Sequence, residues 1–242
     1  MSFSISIHSS KGGTGKTCIA QNLAYAYAMD GKNVCLLDLD LKSPSLFSGL
    51  FPVKDCWLNS VLEGRQEIDD VLVDATREMG TKGRVCVGYS NPDIAEIREI
   101  SLKDRRWQSQ ALQKLIDCKK KLFSSGFDVV IMDSSPGVDY TSVNVVACSE
   151  YVITVFKSGE SRGVQLVING IYKPLEKRCF AIENMNNGVS SFSFEDQIPV
   201  PVLARIPCMC DVSKYGTKKL FTCEDPAHPF SKAIFNLKDQ IC

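Results

Sequence analysis

Short apolar runs rich in β-branched residues alternate with longer amphipathic stretches along most of the chain. The runs predict strands at 3–8, 34–39, 85–87, 127–132, 151–156, 179–183 and 200–206. Apolar residues recur at helical spacing between them, which predicts helices at 17–29, 107–123, 141–149, 161–175 and 229–241. Strands that are apolar throughout are typical of parallel sheets covered on both faces. We therefore expect an α/β fold of three layers, in which a mostly parallel, twisted sheet of about seven or eight strands has helices on both faces.

The alternation is interrupted between residues 52 and 104. Turn-forming residues are frequent in this stretch, namely Gly64, Gly80, Gly83 and Pro92. We interpret 52–104 as an irregular, partly helical insertion within a single domain that spans residues 1–242. A second domain is the alternative, since 242 residues exceed the ~150 of an average domain.

The composition is that of an ordinary globular protein. Hydrophobic residues make up 44% of the 242 and charged residues 23%, which excludes intrinsic disorder as the main state. The 28 basic and 28 acidic side chains cancel, so bulk charge gives no reason to expect a nucleic-acid coat. There is no apolar run near the ~18 residues of a membrane span and no secretory signal, so we expect a cytoplasmic location.

The chain contains eleven cysteines, scattered mainly through apolar segments. We expect most of them to be reduced and to act as small core residues, because an odd number cannot pair completely. Cys208 and Cys210 form the one close pair. Two thiolates from each of two subunits could bind Zn²⁺, Ni²⁺ or an iron–sulfur cluster, so metal binding remains an alternative function for this pair.

A glycine-rich loop joins the first predicted strand to the first predicted helix. Its residues are Ser10, Lys11, Gly12, Gly13, Thr14, Gly15, Lys16 and Thr17. Glycines let the backbone turn successive N–H groups toward phosphate oxygens, beside the positive end of the helix dipole. Lys16 is placed to neutralise the β- and γ-phosphates, and the Thr17 hydroxyl is placed to bind Mg²⁺. The loop therefore predicts a phosphate-binding site.

Carboxylates lie at the ends of two apolar strands. Asp38 and Asp40 are two residues apart at the end of one strand, so they point to the same side. One of them can hold the Mg²⁺ shell while the other orients or deprotonates an attacking water. Asp133 ends the strand 127–132 and is placed to bind a water coordinated to Mg²⁺. The carboxyl ends of parallel strands carry the functional groups in such folds, so we expect these carboxylates beside the loop.

Three motifs together resemble the MinD/ParA family of ATPases. The pattern K-G-G-x-G-K-T at residues 11–17 resembles its deviant Walker A loop. Residues 38–45 are similar to its D-x-D-x-x-x-P-S switch I, and residues 133–137 to its D-x-x-P-G switch II. The resemblance implies a P-loop NTPase fold that binds ATP or ADP with Mg²⁺. It also implies slow, partner-stimulated hydrolysis of ATP to ADP and phosphate, and a homodimer in the ATP-bound state.

The resemblance also implies roles for single residues. Lys11 is the signature lysine that reaches the phosphates of the nucleotide in the other subunit. Asp40 activates water and Asp38 supports it, so Lys11, Lys16 and Asp40 are the expected catalytic residues. Magnesium is expected on Thr17, Asp38 and Asp133, partly through water. Nucleotide contacts are expected from the loop residues Lys11, Gly12, Gly13, Thr14, Gly15, Lys16, Thr17 and Cys18.

The chain departs from the expected pattern at two loop positions. Ser10 stands where the strict phosphate-loop motif has glycine, and Cys18 stands where the family usually has threonine or serine. The backbone N–H of Cys18 remains, but a hydroxyl contact to the nucleotide is lost or weakened. We expect this change to affect nucleotide affinity more than activity.

The base-binding end rests on weaker signals. The strand 179–183 leads to Asn184, which resembles the family's adenine-reading asparagine, because a side-chain amide can both accept from and donate to the base. Asn186 and Asn187 are competing candidates. Pro207 ends a late I-P strand that is similar to the one that closes over the base in the family.

The family has several branches, and the sequence leaves the target of the switch open. We expect engagement of a partner protein or cargo, with functions in positioning, partition or assembly. A metal or iron–sulfur carrier that uses Cys208 and Cys210 is one alternative. An ATP-dependent carboxylate-activating biosynthetic enzyme is another, which the complete D-x-D-x-x-x-P-S segment disfavours.

Two segments are candidates for binding DNA or a membrane. Residues 98–121 carry eight basic and three acidic side chains, so this segment is a candidate DNA-binding surface, although a solvated helix face is the favoured interpretation. The last predicted helix, 229–241, has only Lys232 and Lys238 as basic residues. We therefore expect a core-packing helix there and no strong membrane anchor.

Overall fold

The computed structural model describes residues 2–188 and 198–241, and eight strands in these ranges form one sheet. The strands are β1 (Phe3–His8), β2 (Val34–Leu39), β3 (Val73–Asp74), β4 (Val85–Gly88), β5 (Val129–Ser134), β6 (Tyr151–Phe156), β7 (Arg178–Asn186) and β8 (Val202–Pro207). Their order is β3-β4-β2-β5-β1-β6-β7-β8. Neighbouring strands are parallel except for β3 and β4, which are antiparallel. The predicted fold class is confirmed.

Helices connect the strands and cover both faces of the sheet. They are α1 (Lys16–Met29), α2 (Leu58–Leu62), α3 (Ile68–Val71), α4 (Thr76–Met79), α5 (Ile94–Ser101), α6 (Arg105–Ser124), α7 (Tyr140–Cys148), α8 (Ser161–Val167), α9 (Cys210–Tyr215), α10 (Phe221–Glu224) and α11 (Pro229–Ile241). Short 3₁₀ turns occupy Leu46–Ser48 and Gly216–Lys218, and a π-helical turn occupies Ile168–Tyr172. Within the described ranges, no helix is both long and apolar enough to cross a membrane.

The strand residues divide between apolar cores on the two faces of the sheet. In β2, Val34 and Leu36 pack into the core that contains α1 and α11, whereas Cys35 and Leu37 pack into the core that contains α6 and α7. This division follows from the two-residue period of a strand. Helix α1 lies between the sheet and α10 and α11, so it is buried on nearly all sides. Its N-terminus, and the loop before it, are thereby fixed against the sheet.

Most predicted elements are present, with boundaries that differ by a few residues. The strand predicted at 127–132 instead spans Val129–Ser134, because Asp133 and Ser134 continue the ladder with β2. The helix predicted at 161–175 is divided into α8 and the π-helical turn that follows it. The ten cysteines in the described ranges are free thiols, and five of them are buried.

Residues 52–104 contribute to the sheet as well as forming short helices. They contain α2, α3, α4 and α5, together with β3 and β4. Strand β4 pairs with β2 in parallel, whereas β3 is a two-residue strand at the edge of the sheet. The sequence pattern identified the apolar run of β4, but two residues carry too little periodicity to identify β3.

Candidate functional site

The glycine-rich loop connects β1 to α1, at the carboxyl edge of the parallel strands. Gly13 and Gly15 have φ values of +72° and +90°, a region that favours glycine. A Cβ atom on Gly15 would lie 2.4 Å from Nδ2 of Asn184, so position 15 has no room for a side chain. Helix α1 begins at Lys16, directly after this turn. Its unpaired N–H groups therefore face the loop.

Lys16 and Thr17 bring the start of α1 to the carboxylates of the neighbouring strands. The Lys16 side chain is buried, and its charge favours the ionised forms of Asp40 and Asp133. The Thr17 hydroxyl donates to Oδ2 of Asp133 over 2.5 Å, and it accepts a hydrogen bond from the Ser45 hydroxyl at 3.2 Å. The loop, β5 and the segment after β2 therefore meet at one point.

Asp38 and Asp133 lie side by side on β2 and β5. They are register partners, and 0% and 1% of their surfaces are exposed. Oδ2 of Asp38 accepts hydrogen bonds from the backbone N–H groups of Ser45 and Leu46, and its Oδ1 accepts one from the N–H of Asp40. In the described part of the chain, Oδ1 of Asp133 has no hydrogen-bond partner.

The two buried carboxylates oppose each other electrostatically. Burial, and then repulsion from Asp133, raise the pKa of Asp38 to about 8. Burial raises the pKa of Asp133 to about 7, although Lys16 and the Thr17 hydroxyl favour its charged form. A cation would relieve this repulsion. The unpartnered Asp133 oxygen and the oxygen-only donor set fit Mg²⁺, which prefers oxygen ligands and keeps several waters.

Asp40 lies one residue beyond the end of β2 and is only partly buried. Its Oδ1 accepts a hydrogen bond from the backbone N–H of Ser43 at 3.1 Å. Burial raises the pKa of Asp40, while Lys16 lowers it. Asp40 is therefore at the same edge as Asp38, but it is more open to solvent, as a residue that contacts water must be.

The segments after β2 and β5 are connected to each other and to the loop. Nζ of Lys42 donates to Oδ2 of Asp139 over 2.5 Å, and Oδ1 of Asp139 caps α7 by accepting from the Ser142 N–H at 2.8 Å. The N–H of Gly137, whose φ is +91°, donates to the carbonyl of Ser9 at 2.8 Å. These hydrogen bonds couple the two segments, so a displacement of one changes the contacts of the other.

Lys11 is the most exposed charged residue of the predicted site. Its side chain is 67% exposed, and Nζ lies 4.0 Å from Oε1 of Glu160 at the start of α8. Lys11 therefore lies at the surface of its own subunit, whereas Lys16 is buried. This is the placement that a residue acting on a second subunit requires.

The predicted base-binding residues lie at the ends of β7 and β8. Nδ2 of Asn184 donates to the carbonyl of Thr14 at 2.8 Å, so the structure places Asn184 against the loop. Asn186 accepts from the N–H of Gly188 at 2.7 Å, and Asn187 is exposed. Asn186 is also the register partner of Pro207. Among these three asparagines, the described hydrogen bond to the backbone of the loop comes from Asn184.

Cys18 is enclosed by the core next to the loop. Only 7% of its surface is exposed, and burial raises the pKa of its thiol to about 12. Nδ2 of Asn22 donates to the Cys18 carbonyl at 2.8 Å. Cys18 therefore contributes an apolar side chain and its backbone N–H at this position.

The cysteine pair and the basic segment were the two alternative binding sites that the sequence offered. Cys208 and Cys210 are both exposed, and no group of three or more His, Cys, Asp or Glu side chains that could hold a metal lies within 2–188 and 198–241. In the basic segment 98–121, Lys103 and Lys121 form ion pairs with acidic residues of the 52–104 stretch, and Lys119 pairs with Glu150. Three of the eight basic side chains of this segment are therefore paired with acidic residues elsewhere in the fold.

The sequence did not identify several residues near the loop. Nζ of Lys157, which follows β6, lies 3.8 Å from the position that a Cβ of Gly13 would take. A Cβ on Gly163 of α8 would lie 2.7 Å from the hydroxyl of Ser10, so glycine at 163 makes room for serine at 10. Lys157 and Gly163 belong to no motif. They lie near the loop because β6 is paired in parallel with β1.

Comparison with known proteins identifies the family. The profile of a family described as AAA domain matches residues 2–180. An uncharacterized ATP-binding protein of Methanocaldococcus jannaschii is 30% identical and aligns over 98% of this chain and 86% of its own length. The chain belongs to the MinD/ParA family of P-loop ATPases.

Solved structures of this family share the fold. MinD of Pyrococcus horikoshii, in complex with Mg-ADP, superposes with a TM-score of 0.79 at 24% identity, covering 100% of this chain and 96% of that one. A ParA family ATPase of Chlorobium tepidum superposes with a TM-score of 0.74 at 17% identity and covers 100% of both chains. The P-loop NTPase fold is therefore confirmed for this MinD/ParA-type chain.

Proposed function

We propose that this protein is a nucleotide switch that binds and slowly hydrolyses Mg-ATP as a single domain. The observation that carries the proposal is the pair of buried carboxylates, Asp38 and Asp133, beside the Thr17 hydroxyl and the Lys16 ammonium. Without a ligand these carboxylates hold protons, and both can be ionised when a cation lies beside them. Mg-ATP brings that cation together with phosphates that pair with Lys16. The complex of Pyrococcus horikoshii MinD with Mg-ADP supports this assignment.

The loop residues bind and orient the phosphates. The backbone N–H groups of the loop and of the start of α1 face the phosphate oxygens, and Lys16 neutralises their charge. Thr17, Asp38 and Asp133 would hold Mg²⁺, the two carboxylates partly through water. The ion would supply positive charge beside the transferred phosphoryl group. Asn184 and Pro207 lie at the base end, and the Asn184 amide, which donates to the Thr14 carbonyl, is the group that reads adenine.

Asp40 positions the water that attacks the γ-phosphate. It lies past the end of β2 and is more exposed than Asp38, so a water can approach its carboxylate. Its bond from the Ser43 N–H orients the carboxylate, which can accept a further hydrogen bond from water. A carboxylate that orients the water but is a weak base supports only slow hydrolysis. Slow hydrolysis suits a switch whose ATPase activity is stimulated by a partner.

Lys11 completes the site of a second subunit. ATP brings two subunits face to face, and Lys11 of each contacts the phosphates bound to the other. The exposure of Lys11 and its loose contact with Glu160 support this role, because an insertion in trans must break only a weak interaction in cis. The ATP-bound homodimer then engages a partner protein. A complex of MinC with MinD from Aquifex aeolicus is a precedent for such engagement in this fold.

Substitutions of the two loop lysines test the assignment. Lys16→Ala should lower the affinity for ATP and ADP by at least tenfold, because a buried phosphate counter-charge is lost. Lys11→Ala should bind ATP normally but lose hydrolysis. Lys232→Ala is the matched control, since Lys232 is an exposed lysine on α11. Calorimetry gives the affinities and phosphate release gives the rate. Normal hydrolysis in Lys11→Ala would refute the role of Lys11 in trans.

A further inference from the structure

His8 occupies a buried position between the loop and two other elements. It is the last residue of β1, it has no exposed surface, and it directly precedes the phosphate loop. Nε2 of its ring lies 2.8 Å from the carbonyl oxygen of Gly137, and Nδ1 lies 2.5 Å from the hydroxyl of Tyr172. A carbonyl only accepts, so Nε2 carries the proton. In the neutral ring Nδ1 is then an acceptor, and Tyr172 donates to it.

The bond from His8 is one of several that hold Gly137 in its present orientation. The Gly137 N–H donates to Ser9, the neighbour of His8, and the Gly137 carbonyl also accepts from the Ser142 hydroxyl at 3.2 Å. Gly137 is in the left-handed region at φ +91°, and space around its Cα is open. If a phosphate in the loop replaced the Ser9 carbonyl as the acceptor of the Gly137 N–H, the peptide would turn and its carbonyl would leave His8.

Tyr172 connects the same ring to α8. It ends the π-helical turn that directly follows α8, and its side chain is fully buried. The other end of α8 packs on the loop, since Gly163 lies against Ser10 and Glu160 lies near Lys11. The outer surface of α8 carries Leu166, which is 68% exposed. His8 therefore contacts both Gly137 and the end of the π-helical turn that follows α8. Single π-helical turns are frequent at functional sites.

We propose that His8 is a positioning residue that stabilises the resting orientation of Gly137 and transmits its displacement by the γ-phosphate to Tyr172 and α8. The inference rests on the proposed nucleotide switch and adds a buried route from the phosphate site to an exposed helix. When the Gly137 carbonyl leaves, the Nε2–H donor is unpaired in a buried position. The ring must then move or exchange its proton between the two nitrogens, and either change alters the bond from Tyr172.

The affinities for ADP and for the non-hydrolysable analogue AMPPNP test this coupling. His8→Leu removes both ring bonds and should raise the affinity for AMPPNP relative to ADP by about tenfold, the equivalent of one buried hydrogen bond. His8→Gln keeps a donor near the position of Nε2 and should stay within about twofold of the wild-type ratio. Tyr172→Phe should shift the ratio in the same direction by less, and the double variant should add little to His8→Leu.

Hydrogen exchange supplies a readout that a purely structural role leaves unchanged. In the wild type, AMPPNP but not ADP should change the exchange of residues 161–172. In His8→Leu this change should disappear although AMPPNP still binds. Tyr151→Phe is the matched control. It also removes a tyrosine hydroxyl, but Tyr151 lies at the amino end of β6, away from the loop at the carboxyl ends of the strands.

The outcomes separate the inference from the function on which it rests. Failure of the wild type to bind either nucleotide would overturn both. Binding by the wild type, with equal loss of ADP and AMPPNP affinity in His8→Leu, would overturn the inference alone. The inference would also be overturned if both His8→Leu and Tyr172→Phe kept the wild-type ratio of AMPPNP to ADP affinity and the wild-type response of hydrogen exchange in 161–172 to AMPPNP.

Discussion

At the scale of single residues, the paired carboxylates Asp38 and Asp133 make the site dependent on its ligand. Their pKa values are raised to about 8 and about 7, so the folded chain without Mg²⁺ holds protons that the unfolded chain releases near pH 4. The unfolded state therefore binds fewer protons between pH 4 and 8, and the free energy of unfolding falls as the pH rises through this range. Below pH 4 both states are protonated and the effect vanishes.

Asp133→Asn should remove the part of this pH dependence that comes from Asp133 and from its repulsion of Asp38, while the part due to the burial of Asp38 remains. Asparagine can still accept from the Thr17 hydroxyl, and its amide group can face Asp38 in place of a like charge. Without Mg²⁺, we expect the variant to be more stable than the wild type by roughly 1–3 kcal/mol at pH 8, and by less at pH 5. Urea unfolding at the two pH values measures this difference. Asp117→Asn, at an exposed position on α6, should show no such trend.

Gly15 illustrates a second requirement of the site at the residue scale. Gly15→Ala places a Cβ at positive φ and within 2.4 Å of Asn184, whereas Gly31→Ala places one at φ +84° with nothing within 4 Å. The second variant should cost about 1–2 kcal/mol of unfolding free energy from backbone strain alone. The first should cost more, and it should also weaken nucleotide binding by displacing the Asn184 amide. Equal losses in the two variants would show that contact with Asn184 is unimportant.

At the scale of elements, Asp139 makes two stabilising contacts at the start of α7. It caps the helix through the Ser142 N–H, and it pairs with Lys42 in the segment after β2. Asp139→Ala should cost about 1–2 kcal/mol of unfolding free energy, because cap and ion pair are both lost. Asp139→Asn keeps the cap and should cost about 0.5 kcal/mol or less. Chemical denaturation compares the two. A loss in Asp139→Asn as large as in Asp139→Ala would assign the effect to the ion pair instead.

Elements were predictable where the local pattern was strong and where their length exceeded one or two turns. The apolar run at 34–39 matches β2, and the spacing at 229–241 matches α11, because burial on a sheet face or a helix stripe leaves a periodic signal. The end of β5 was misplaced by two residues, since Asp133 and Ser134 are polar but still pair with β2. The edge strand β3 and the π-helical turn depend on tertiary contacts and leave no pattern in the sequence.

The predicted site residues could be placed because each belongs to a motif at the end of a strand or the start of a helix. Their environments could not be predicted. The register of β2 with β5 sets Asp38 beside Asp133, and the packing of β6 on β1 brings Lys157 to Gly13. His8 has no motif at all, and its contacts with Gly137 and Tyr172 join residues 129 and 164 positions apart in the chain.

At the scale of the whole molecule, the proposed function requires that a second copy of the chain complete the catalytic site of each subunit. Lys16, Asp38 and Asp133 are buried within one chain, whereas Lys11 extends from the surface and has a 4.0 Å contact with Glu160. Dimerisation should therefore depend on ATP, and hydrolysis should reverse it. A block of hydrolysis at Asp40 should make the dimer persist.

Molar mass by light scattering tests this claim most directly. The wild type and Asp40→Ala are compared without nucleotide, with Mg-ADP and with Mg-ATP. We predict a monomer of 26.8 kDa without nucleotide and with Mg-ADP, and a doubling of mass with Mg-ATP that is transient in the wild type and lasting in Asp40→Ala. A mass that is the same in all conditions, while Mg-ATP binds, would contradict the ATP-dependent dimer.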